Sequence, residues 1–79
     1  MVKKDAAEIR KERIQDMARQ IQAALRIHGE LSFSGTVNSF AYNMGLRKER
    51  VLEYLEIIEG EGQIIIDNDH DKIKKVSNE

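Results

Sequence analysis

Apolar residues recur at three- and four-residue steps through the first third of the chain, at Ile14, Met17, Ile21, Ala24, Leu25 and Ile27. That spacing predicts one buried face of a helix over residues 5–28. Arg26 and His28 fall in its last turn and Gly29 follows, which is helix-stop chemistry. At 1.5 Å per residue such a helix runs to about 30–35 Å. A domain of this size does not cover that length, so the first two turns are expected to project beyond the core.

The pattern then changes twice. Leu31-Ser32-Phe33 alternates, which predicts an abbreviated strand or extended connector. Ser34 is placed to cap a second helix whose inner stripe is Val37, Phe40, Ala41 and Met44. Gly45 supplies the positive φ that ends it, and Leu46 plugs the turn. A third helix is expected over residues 47–61, with Val51, Tyr54, Leu55 and Ile58 inward and Gly60 and Gly62 bracketing its end. Residues 63–67 are β-branched and short, 68–71 are rich in turn formers, and 72–76 make a plausible return strand. Residues 77–79 are expected to fray.

Length and composition narrow the class. Seventy-nine residues make one small domain with a modest core, and without cysteine there is neither a disulfide nor a thiolate metal site to reinforce it. Self-association is the natural alternative source of stability. No apolar run approaches the roughly 20 residues needed to cross a bilayer. The first residues are charged rather than apolar, so no secretory leader is expected and the cytoplasm is the default location. The net charge of −1 hides an asymmetry. Residues 1–28 carry seven Lys/Arg against four Asp/Glu, residues 29–62 three against six, and residues 63–79 three against four. A nucleic-acid footprint, if present, has to be local.

Phe40-Ala41, Gly45-Leu46, Val51, Leu55, Ile58, Glu59-Gly60-Glu61-Gly62 and Ile64, taken in order, resemble the winged helix-turn-helix family of transcription regulators. The resemblance implies an α+β fold of three helices with a C-terminal β-hairpin wing, the first helix extended at its N-terminus. It divides the chain into an N-terminal helical extension (1–12), a winged-helix domain (13–76) and a tail (77–79). It implies binding of double-stranded DNA with the third helix in the major groove. By position, Arg47, Lys48, Glu49, Arg50, Glu53 and Tyr54 come nearest the groove, with Arg47 standing where the family often has Ser or Thr. Thr36, Asn38 and Ser39 (with Asn43) would donate to phosphates or serve as caps, and Lys72, Lys74 and Lys75 would touch flanking backbone. Small archaeal regulators of this family often dimerise through a long first helix, which here points to Ala6, Ala7, Ile9, Ile14 and Met17; a frayed, solvated arm is the other reading of the overhang.

Charge placement speaks for and against DNA. Arg47, Lys48 and Arg50 crowd the N-terminal turn of the third helix while Glu56, Glu59 and Glu61 crowd the other end, opposite to what the helix macrodipole favours. Phosphates at that N-terminus would reverse the penalty. Against this, Glu49, Glu53 and Glu56 fall opposite the buried stripe, and the wing turn carries Asp67, Asp69 and Asp71. A solvated charged face without a DNA role explains the same residues. So does a protein-interaction module whose acidic face, flanked by Leu52 and Ile57, meets a basic partner.

Other chemistry is thin. Asp67-x-Asp69-x-Asp71 opens like a calcium loop, but Lys72 and Asn78 stand where such a loop needs Gly and Glu. His28 and His70 are far apart, and no glycine-rich phosphate loop or nucleophile elbow frames a catalytic residue. The sequence therefore predicts no enzyme, cofactor, metal or small-molecule ligand, and double-stranded DNA and a second copy of the chain as partners.

Overall fold

The computed structural model describes residues 5–76, so the expected fraying of 77–79 lies outside the described residues. Its elements run α1 (Ala6–His28), β1 (Glu30–Ser32), α2 (Phe33–Met44), α3 (Lys48–Gly60), β2 (Ile64–Asp67) and β3 (Lys72–Lys75). The fold is α+β, three helices against a small antiparallel sheet, a layout compatible with a winged helix. The sheet has three strands in the order β1-β3-β2. The short extended piece after α1 is thus a full sheet member, pairing Leu31 with Ile73 while Ile73 also faces Ile66.

Local chemistry places each boundary. Asp5 caps α1 by accepting from the Glu8 N–H at 2.9 Å, and Gly29 at φ 81° ends it. Gly45 takes the left-handed conformation at φ 66° and turns α2 into α3, its N–H returning to the Ala41 carbonyl. The α2 cap is Ser32, not the expected Ser34: Ser32 Oγ accepts from the Gly35 N–H at 3.1 Å, so the strand's last residue is also the helix cap.

Ser34 has a different task. Its N–H donates to Asp71 at 3.0 Å and its hydroxyl to the same carboxylate at 2.8 Å, while the Ser32 hydroxyl adds a third bond at 3.2 Å. The Asp71 carbonyl also accepts from the Phe33 N–H at 2.9 Å. Asp71 reaches this position by adopting φ 54°, a conformation that Asp tolerates better than most side chains. The β2–β3 turn is thereby fastened to the start of α2.

Ser34 and Ser32 hold the Asp71 carboxyl below the usual carboxylate range, the Ser34 hydroxyl contributing most. A group whose folded pKa is depressed stabilises fully above its unfolded value, about pH 3.9. That contribution is lost as pH falls through the folded value. Asp71→Asn should therefore shrink the drop in melting temperature between pH 5 and pH 2, measured by circular dichroism. Asp67, lowered chiefly by its hydrogen bond to His70, keeps the drop from vanishing.

The core lies where the inner faces of the helices meet the inner face of the sheet. Met17, Ile21 and Leu25 of α1 pack with Val37 and Phe40 of α2, with Val51, Tyr54, Leu55 and Ile58 of α3, and with Ile64 and Ile73 of the sheet. Two expected dimer residues belong here instead. Met17 is wholly buried and Ile14 packs half-buried on the core, because both sit on the face of α1 that covers the body. Ala6, Ala7 and Ile9 remain exposed, Ile9 to 40%. The first turns of α1 are exposed from Ala6 to Arg13, and the described residues measure 43 × 29 × 21 Å along their principal axes. These turns are not free throughout, since Arg10 pairs with Glu53 of α3.

Candidate nucleic-acid interface

Arg47 occupies the N-cap position of α3, and an arginine has no oxygen with which to accept from the first-turn N–H groups. No side chain caps this helix. Lys48 begins α3 and Arg50 lies one turn from the cap, and all three cations are exposed. Arg47 and Lys48 form no ion pair among the described residues, whereas Arg50 lies 3.7 Å from Glu53. Gly45, Leu46, Arg47, Glu49, Arg50 and Glu53 line an open hollow at the α2–α3 turn. Uncapped N–H groups and three cations at the positive end of a helix dipole form a surface matched to an anion.

Tyr54 does not share that surface. At 3% exposure it is part of the core, because its position in α3 falls on the same stripe as Val51 and Ile58. Its ring instead supports Arg10, whose guanidinium carbon lies 5.9 Å from the ring centroid. The expectation that Tyr54 approaches DNA is corrected accordingly.

The α2 candidates are divided. Thr36 and Ser39 line a separate cleft between α1 and α2 with Gln20, Ala24 and Phe40. Asn38 is exposed and sits about 200° around the helix from Thr36. Asn43 donates to Ser39 at 3.4 Å. Residues 31–46 contain no charged side chain, so α2 offers neutral donors only. Tyr42 projects from this stretch with 87% exposure.

The lysines of β3 alternate with buried Ile73, which puts Lys72 and Lys74 on the outer face of the sheet. Each is already engaged: Lys72 with Glu30 at 3.3 Å and Lys74 with Asp67 at 3.4 Å. Lys75 is exposed at the end of the strand. Asp67 also accepts from the backbone and ring nitrogens of His70, at 3.3 and 2.9 Å. Asp67 and Asp71 thus serve the turn and the α2 junction. Among the described residues, no group of three or more His, Cys, Asp or Glu is arranged to hold a metal ion.

Two features escaped the sequence. The Arg10–Glu53 half of the clasp on Glu53 joins residues 43 apart and no local spacing announces it, whereas Arg50–Glu53 is a local i,i+3 pair. The Asp71–Ser34 junction spans 37 residues and is equally silent in the sequence. Among the described residues, no helix is long and apolar enough to cross a membrane. Neither a family model, nor a curated protein, nor a solved structure matches this chain.

Proposed function

We propose that this chain is a winged helix-turn-helix protein that binds double-stranded DNA in a sequence-specific manner and regulates transcription. In this reading α3 enters the major groove and the β2–β3 hairpin is the wing. The observation that carries it is the exposure of Arg47, Lys48 and Arg50 together on the uncapped first turn of α3, against the sign the helix dipole prefers. Phosphate contacts from Arg47, Lys48 and Arg50 would position the helix, and side chains further along the exposed face of α3 would meet base edges to specify sequence. Asn38 of α2, and Thr36 and Ser39 if the duplex reaches the α1–α2 cleft, add neutral donors. Lys72 and Lys74 contribute by exchanging Glu30 and Asp67 for phosphate, with Lys75 beside them. Ala6 and Ile9 at the outer end of α1 pack against a second copy, which sets two recognition helices on one duplex.

Fluorescence anisotropy against a pool of random duplexes tests the reading. Binding should weaken steeply as salt rises. Arg50→Ala should lower affinity for every duplex by a similar factor, as the loss of a phosphate contact does. Lys48→Ala should weaken all sequences alike and lower the salt slope by about 1. Absence of salt-sensitive binding at low ionic strength would remove the reading.

A second reading is favoured by Tyr42 and Leu52, the latter 38% exposed on α3. In it the same fold is a protein-interaction module, and Glu49 and Glu56 meet a basic partner. Capture of a basic protein that survives nuclease treatment, with no binding to naked DNA, would select it.

A further inference from the structure

Three side chains from two helices converge at the outer surface beside the α3 turn. Arg10 of α1 grips Oε1 of Glu53, and Arg50 lies 3.7 Å from Oε2 of the same carboxylate. One guanidinium thus serves each oxygen. The Arg10 guanidinium lies over the Tyr54 ring, 5.9 Å from its centroid. All three charged side chains stay about half exposed, so a solvent-borne anion can reach the group without unfolding anything.

We propose that Arg10 and Arg50 form a phosphodiester-binding site whose ligand is a backbone phosphate of duplex DNA, and that Glu53 is its built-in competitor. The proposal rests on the DNA-binding reading above and adds Arg10 to the interface. Guanidinium groups recognise carboxylate and phosphate through the same fork of N–H donors, so a site that accepts one accepts the other. Exposed ion pairs contribute little to folding, which leaves the Glu53 contact free to be exchanged. Phosphate also offers more acceptor oxygens than a carboxylate. With Glu53 in place the site carries a net charge of +1; with Glu53 turned aside it presents two cations to one phosphate. Non-specific contacts are thereby attenuated, because each must first displace the internal anion.

Glu53→Gln tests this, since it keeps the side-chain length and removes the charge. Glu56→Gln, on the same helix and outside the clasp, is the charge-matched control. The expected result is about a tenfold gain in duplex affinity at low salt for E53Q, with a salt slope steeper by about 1. E56Q should gain much less. The gain of E53Q should vanish when combined with R10Q, and R10Q alone should weaken binding about fivefold without changing sequence preference. Equal gains in E53Q and E56Q, a gain that persists with R10Q, or an unaltered R10Q single variant would overturn the proposal. Circular dichroism melting confirms that each variant is folded, and the R10Q result stands independently should E53Q be unstable. Titration with inorganic phosphate, read at the Nε–H resonances of Arg10 and Arg50, separates the two ideas. Shifts in E53Q that are weaker in the unaltered chain, with no duplex binding by any protein, would keep the anion site and remove the DNA reading. Salt-sensitive duplex binding with unmoved arginine resonances would keep the reading and remove the site.

Discussion

Leu55→Ala lowers the free energy of unfolding by about 2–5 kcal/mol, the cost of deleting buried methyl groups and leaving a cavity. Leu55 is wholly buried on α3, in the same cluster as Met17 and Ile21 of α1 and Ile73 of the sheet. Every layer of the fold therefore has a stake in that side chain. A chain of this length has a total stability of about 4–12 kcal/mol. The substitution removes a large share of it. Urea denaturation should show a much lower midpoint with an unchanged slope, the signature of lost stability rather than an altered unfolded state. Leu52→Ala, three residues earlier on the exposed side of α3, should cost well under half as much. Equal effects at the two positions would contradict the placement of Leu55 at the centre of the core.

Replacing Arg47, Lys48 and Arg50 together by alanine should reduce duplex affinity on the order of several-hundredfold at 0.1 M salt. Each phosphate neutralised by a cation contributes about 0.9 to the salt slope. Three lost contacts therefore flatten the slope by roughly 2.7, and at 0.1 M each contributes nearly a factor of ten. The melting temperature should hold or rise slightly, because removing cations from the positive end of α3 relieves an unfavourable dipole interaction. Loss of binding together with retained or improved stability is the pattern of a surface kept for a ligand. Unchanged binding would shift attention to the basic first helix.

The helices were legible because their signals are local. Gly29, Gly45 and Gly62 all take positive φ, and the apolar steps between them repeat at helical spacing. The strands were legible in kind, from Ile64-Ile65-Ile66 and the alternation around Ile73, but not in partnership. Nothing in Leu31 alone says that it faces Ile73. The choice between Ser32 and Ser34 as cap turned on Asp71, which claims Ser34 from the far end of the fold. The candidate surface was legible only at Arg47, Lys48 and Arg50, whose exposure follows from the turn and the dipole argument. Tyr54 falls on the inward stripe of α3 by spacing and near the groove by resemblance; an aromatic with a polar tip suits both, and packing puts it in the core. Met17 suits both the core and a dimer seam by its spacing, and burial gives it the first.

The sheet order has a consequence for how the chain acquires its shape during synthesis. β1 and β2 are not neighbours, and both ladders run through β3. Residues 30–32 leave the ribosome long before residues 72–75, so the emerging chain holds three helices with no sheet to close them. A fragment halted before residue 71 forfeits both pairings and the Asp71 fastening at once. Such a nascent species would display the undersides of its helices to chaperones until the final strand arrives.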